Sequence, residues 1–184
     1  MNDVLFSKIQ RLKGEYKFLS DNKSRFLSEL KESIEIRKVV ERSVYIVAEI
    51  VLDIADLINN HQEYPKPSTY SDSIYKLGEY NIIPGKFAHK FVYIAGIRNF
   101  LAHDYMEDTT REIEKFLRYG LADIDYFLKL IEDYNGSEIY KLQKFSPSPL
   151  SPPTRGGEMS VFLDVQLSAC KFLLVRILLF QNIQ

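Results

Sequence analysis

Apolar residues recur every three or four positions over most of residues 1–143, the spacing of helices with one buried face. Leu5, Ile9, Leu12, Tyr16 and Leu19 form the first stripe, which the polar stretch at residues 20–24 ends. Ile36, Val39, Val40, Val44, Val47, Ile50, Val51, Ile54, Leu57 and Ile58 form a second over roughly residues 34–58. β-Branched residues abound there, yet the run is too long and too well phased for a strand. After a turn region at Pro65 and Pro67, Ile74 and Leu77 predict a shorter third helix. Pro84 suits the first turn of a fourth, whose inward face is Phe87, Phe91, Ile94 and Leu101. Thr109 and Glu112 read as a capping box that opens a last core helix through Ile113, Phe116, Leu117, Ile124, Phe127, Leu128 and Ile131. Asn135-Gly136 is its expected stop. The pattern predicts an all-α, up-and-down bundle of four or five helices over residues 1–143, an architecture that serves many functions.

Beyond the bundle the pattern changes. Residues 146–157, SPSPLSPPTRGG, break every regular structure, so residues 144–157 read as a Pro/Ser/Gly linker. Residues 159–180 are strongly apolar, but Asp164, Lys171 and Arg176 interrupt them, which disfavours a simple membrane span. Residues 158–184 are expected to be an apolar C-terminal tail dispensable for chemistry. Docking onto the bundle and peripheral contact with a membrane are the other readings.

Composition narrows the class. With 184 residues, 46% hydrophobic and 13% aromatic, the chain can bury one sizeable core. The single cysteine, Cys170, permits no internal disulfide, and residues 1–10 lack the apolar centre of a signal peptide. A cytoplasmic location is expected. The net charge of −1 gives no overall attraction to nucleic acid, so any binding of a polyanion must rely on a local positive pocket. Three dispersed histidines make a zinc site an unfavourable reading, and neither a Gly-rich phosphate loop nor EF-hand spacing occurs. No cofactor is expected.

Chemistry concentrates in the octet Arg98-Asn99-Phe100-Leu101-Ala102-His103-Asp104-Tyr105. A core helix has no packing reason to carry four such polar side chains within two turns, because each buried polar group must find a partner. At about 100° per residue, Asn99 and His103 share one face, while Arg98 and Tyr105 share another, so the two pairs are expected to point different ways. Val92 and Gly96 extend the Asn99–His103 face into a stripe, and glycine there lets another backbone approach. His103 is the candidate acid/base, since an imidazole titrates near neutral pH. Arg98 suits a phosphate, onto whose oxygens a guanidinium forks. Asn99 can orient the imidazole or donate to the same phosphate, and Tyr105 offers a phenol for hydrogen bonding or modification.

Arg, four to six residues, His, any residue, Tyr is the signature of HEPN-domain ribonucleases, and Arg98-Asn99 with His103 and Tyr105 resembles their HepT toxin branch. The similarity extends over most of residues 1–143, including Val51-Leu52-Asp53-Ile54-Ala55-Asp56 and Ile82-Ile83-Pro84. Family members usually have Asn where Asp56 stands. The resemblance implies a homodimer whose paired motif helices form a composite site for metal-independent RNA cleavage, by attack of the ribose 2′-hydroxyl on the adjacent phosphate. It also implies an MntA-like minimal nucleotidyltransferase antitoxin that adenylylates the motif tyrosine. Arg98 and His103 would then be catalytic, Asn99 supporting, and Tyr105 the modified residue.

The remaining polar residues take bland readings. His89 lies fourteen residues from His103, roughly 21 Å along a helix, so the two cannot share one substrate within a protomer. His61 sits where a helix end offers unpaired carbonyls. Two functions from different classes remain: an endoribonuclease toxin, and a non-catalytic regulatory module that binds a nucleotide or the nucleotidyltransferase partner through the same residues.

Overall fold

The structure, a computed structural model, describes residues 2–103 and 108–145. Tyr105 and Asp104 of the octet, and the linker and tail at 146–184, lie outside the described residues. The described chain is helical: α1 (Asn2–Asp21), α2 (Lys23–Glu29), α3 (Ile34–His61), α4 (Tyr70–Glu79), α5 (Gly85–Phe91), α6 (Tyr93–His103), α7 (Thr110–Lys115), a π-helical turn (Phe116–Gly120) and α8 (Leu121–Phe145). The all-α bundle expected from the pattern is what forms. Its long members are α1, α3, the α5–α6 pair and the α7–α8 pair, with α4 packed against α3 and α5.

The predicted stripes face one core. Leu5, Ile9, Leu12 and Leu19 of α1 are buried against Val40, Val44, Val47, Val51, Ile54 and Ile58 of α3 and Ile124, Phe127 and Ile131 of α8. Phe91 centres the aromatic part, with ring centroids 4.9 Å from Phe87 and 5.1 Å from Phe127. Val39, assigned to the second stripe by its neighbours, is exposed instead. Val40, one residue or about 100° on, takes the inward place.

Three local expectations need correction. The capping box does not form: Thr109 is itself helical, and its hydroxyl meets Glu41 at 3.4 Å. Asp108 caps instead, accepting from the Thr110 backbone N–H at 3.1 Å. Asn135-Gly136 does not stop α8, which runs on to Phe145. Asn135 is buried there, so packing outweighs the propensity of the pair. The helix beginning after Pro84 is two segments, because Ala95 N–H bonds the Val92 carbonyl (3.1 Å) and tightens the chain between α5 and α6.

Two glycines set close approaches. A Cβ on Gly78 of α4 would lie 2.6 Å from the Ala88 Cβ and 3.3 Å from Gly85 Cα, so α4 and α5 touch backbone to backbone. A Cβ on Gly120 would lie 2.6 Å from the Phe116 ring, which folds over the π turn. Between α4 and α5 the chain reverses through Asn81 at φ 58°, a left-handed conformation that asparagine tolerates better than most residues.

Candidate active site

α6 presents Arg98, Asn99 and His103 to one cleft of about 520 Å³, whose other walls are Asp56 and Asn60 of α3 and residues 66–71 with Ser73. The sequence placed Arg98 on a different face from Asn99 and His103; the structure lines a single cleft with all three. Helical angles govern Cα positions, whereas a long guanidinium stem carries its head group across that separation.

Arg98 is the most constrained of them. Its Nε donates to Glu49 Oε2 on α3 at 2.7 Å, and its side chain is only 16% exposed. The guanidinium carbon also lies 4.7 Å from the Tyr70 ring centroid and 5.9 Å from that of Tyr45. The Glu49 hydrogen bond is the main cause that raises its pKa above an already high value, so it stays charged at any working pH. Nη1 reaches Asn99 Oδ1 only at 3.5 Å. Glu49 thus engages one edge of the fork and leaves the other toward the cleft.

His103 ends α6 and is exposed, and no described residue hydrogen-bonds its ring. Across the cleft, Ser73 Oγ donates to Asp56 Oδ1 at 2.5 Å, and buried Asn59 donates to the Ser73 carbonyl at 3.1 Å. An asparagine at position 56 could accept the same hydroxyl through its amide oxygen, so this contact does not require the carboxylate. Thr69 caps α4 by accepting from Asp72 N–H (3.1 Å), while Asp72 accepts from Ser68 N–H (2.8 Å). Lys76 Nζ donates to the Pro65 carbonyl at 2.5 Å, and Tyr64 stacks on Tyr80 with centroids 3.6 Å apart. These contacts fix the segment that sets Tyr70 over Arg98.

Glu49, Tyr45, Tyr70 and Ser73 escaped the sequence reading because they come from α3 and α4; Asp56 was singled out there, but not its pairing with Ser73. Glu49 did leave a signal: it interrupts the apolar run Tyr45-Ile46-Val47-Ala48-Glu49-Ile50-Val51. The stripe Val92, Gly96, Asn99 and His103 is half-buried at its first member and exposed at the others, and nothing lies within 4 Å of a Cβ built on Gly96. His89 is elsewhere on the exposed surface, its ring 5.1 Å from that of Tyr75. Among the described residues no three His, Cys, Asp or Glu side chains converge as a metal-binding group would.

Residues 10–131 match the family described as Ribonuclease HepT-like. The chain is 26% identical over 132 residues to the mRNA nuclease HepT of Shewanella oneidensis, covering 72% of this chain and 98% of that protein. It is 23% identical over 108 residues to the tRNA nuclease HepT of Aphanizomenon flos-aquae, covering 59% and 74%. Among solved structures it superposes on the tri-AMPylated Shewanella oneidensis HEPN toxin in complex with MNT antitoxin, with a TM-score of 0.65 at 26% identity over 72% of this chain and 99% of that one. With the matched segment spanning most of the packed core and the cleft residues of α3, α4 and α6, the chain belongs to the HepT-like ribonuclease family.

Proposed function

We propose that this chain is the endoribonuclease toxin of a toxin–antitoxin pair and cleaves RNA without a metal ion. A guanidinium pinned by Glu49 and two tyrosine rings, open on the same cleft as Asn99 and His103, is the observation that carries this reading. His103 takes the proton of a ribose 2′-hydroxyl, whose oxygen attacks the adjacent phosphorus. The bond from phosphorus to the 5′-oxygen breaks, and that oxygen takes up the proton His103 had acquired, which regenerates the neutral imidazole. Arg98 holds the phosphate and balances the charge that grows on it. Asn99 supports by orienting the imidazole or donating to the phosphate.

The exposed Gly96–Asn99–His103 stripe supports assembly as a homodimer, in which two such helices would enclose one ribose-phosphate. The related Shewanella toxin is tri-AMPylated and bound to an MNT antitoxin. By the same logic an MntA-like nucleotidyltransferase would adenylylate Tyr105, two residues after His103, and the added bulk and negative charge would exclude RNA. Site and chemistry are assigned to residues 1–143, with the linker and tail dispensable. No described helix is long and apolar enough to cross a membrane, and a cytoplasmic location is part of this proposal.

The test is cleavage of defined RNAs by wild type and His103→Ala, with and without chelator, followed by end-group analysis. Cleavage should survive the chelator, leave a 2′,3′-cyclic phosphate and fall roughly 100- to 10,000-fold in His103→Ala. Chelator-sensitive cleavage, or full activity in His103→Ala, overturns the assignment. Intact mass after co-expression with the nucleotidyltransferase should show AMP additions that vanish in Tyr105→Phe.

A further inference from the structure

A second cleft, of about 740 Å³, adjoins the first on the far side of the α6 end. α3 lines it with Lys38, Arg42 and Tyr45, and α6 closes it with Leu101 and Ala102, immediately before His103. Lys38, Arg42, Tyr45 and Glu49 are spaced four, three and four residues apart, so they form one stripe along α3. Lys38 to Glu49 is eleven residues, about 16 Å of helix, enough for a few nucleotides. The stripe ends where Glu49 grips Arg98.

Tyr45 joins the two clefts. Arg42 lies 5.3 Å from its ring centroid and Arg98 5.9 Å, and Arg98 in turn lies 4.7 Å from Tyr70. Cations and rings therefore alternate from one cleft to the other. Asp108 pairs with Arg37 at 3.3 Å, while Glu41 meets only the neutral Thr109 hydroxyl and keeps its charge, so Arg37, Lys38 and Arg42 face two carboxylates and the lining stays positive by one. Lys38 and Arg42 are exposed and have no carboxylate partner among the described residues. In a chain of net charge −1, two unpaired cations beside the phosphate-binding arginine make a local path for a polyanion.

We infer that the Lys38–Arg42–Tyr45 stripe carries the single-stranded RNA flanking the scissile phosphate, with Lys38 and Arg42 on backbone phosphates and Tyr45 as a face for base stacking. This rests on the nuclease reading for the identity of the central phosphate, but its test is a binding measurement. Full-length wild type and Lys38→Ala/Arg42→Ala are titrated with a fluorescent, uncleavable 2′-O-methyl RNA over a range of salt. Both side chains are exposed, and circular dichroism checks that the fold is kept; a Lys38→Gln/Arg42→Gln pair serves if the alanine pair does not fold.

The double variant should bind about tenfold more weakly at low salt, with the slope of log affinity against log salt flattened by about 1.4, near 0.7 for each phosphate no longer neutralised. Arg42→Lys should restore most of its share, and the loss should shrink on a trinucleotide too short to reach α3. Equal affinity and slope in wild type and double variant overturn the path, even where His103-dependent cleavage persists and the nuclease reading stands. Weakened binding in a protein that shows no His103-dependent cleavage keeps the path and removes the nuclease reading. A wild type that binds no RNA at low salt overturns both.

Discussion

Arg98 divides one planar group: Nε is held by Glu49 at 2.7 Å while the rest of the fork lines the cleft. A lysine offers a single ammonium and can satisfy either the carboxylate or a phosphate, not both. Arg98→Lys should therefore lose RNA cleavage nearly as deeply as Arg98→Ala, roughly 100-fold or more in kcat/KM. If the lysine variant retained within about tenfold of wild-type kcat/KM, charge alone would suffice and the fork would be irrelevant. Because Glu49 keeps Arg98 cationic, neither limb of a pH–rate profile should belong to it. Tyr93 titrates differently. Burial, then the charge of Asp123 and the 3.1 Å hydrogen bond to it, push the phenol well above its ordinary value. The folded chain then holds a proton that the unfolded chain releases above about pH 10, so this stability is complete below that pH and declines as pH climbs toward the folded value. Tyr93→Phe should flatten the alkaline fall in melting temperature, and an unchanged alkaline limb would count against it. At this scale the sequence displayed the polar octet, since its polarity has no packing reason. It marked Glu49 only as a break in an apolar run and not as the partner of Arg98, because a contact across 49 positions of chain leaves no periodic trace.

Elements bring those distant residues together through a few close contacts. Gly78 allows α4 to lie on Gly85 and Ala88 of α5, and α4 carries Tyr70 while α5 leads into the motif helix. Gly78→Ala forces the pair apart and should cost about 1–3 kcal/mol, read as a melting temperature several degrees lower. It should also weaken RNA cleavage, since Tyr70 rides on α4 and Arg98 on α6, which follows directly from α5; a variant as stable and active as wild type would refute both effects. Helix existence was legible because buried faces impose a repeat on the chain, as in Leu5, Ile9, Leu12 and Leu19. Boundaries were less so. Asp108 outcompetes Thr109 as the cap of α7, and burial of Asn135 carries α8 through a pair of residues that would end a solvated helix.

At the scale of the whole molecule, assembly and composition decide the rest. A Cβ at Gly96 meets nothing within 4 Å in one chain and the position is exposed, so Gly96→Arg should leave the monomer folded. If motif helices pair, the same change should halve the mass seen by light scattering and abolish RNA cleavage; a dimer of full activity would exclude this stripe as the interface. Truncation after Phe145 should keep cleavage within about threefold of the full chain, whereas a folded but inactive truncate would give the tail a role in chemistry. The π turn at Phe116–Gly120 bears on the same scale. It holds one residue more than an even coil would over that stretch, and it sits between α7 and the helix that carries Asp123 to Lys90 and Tyr93. Excising a single residue there would remove that surplus and run α7 into α8 as one even coil, leaving Leu121, Ile124 and Phe127 toward the core, whereas the same excision within α8 would turn everything downstream by about 100°. Tyr119, itself 70% exposed, is the residue whose loss removes least buried surface. Chain length is thus free to change at one point inside a packed helix, where the core alone would suggest it is fixed.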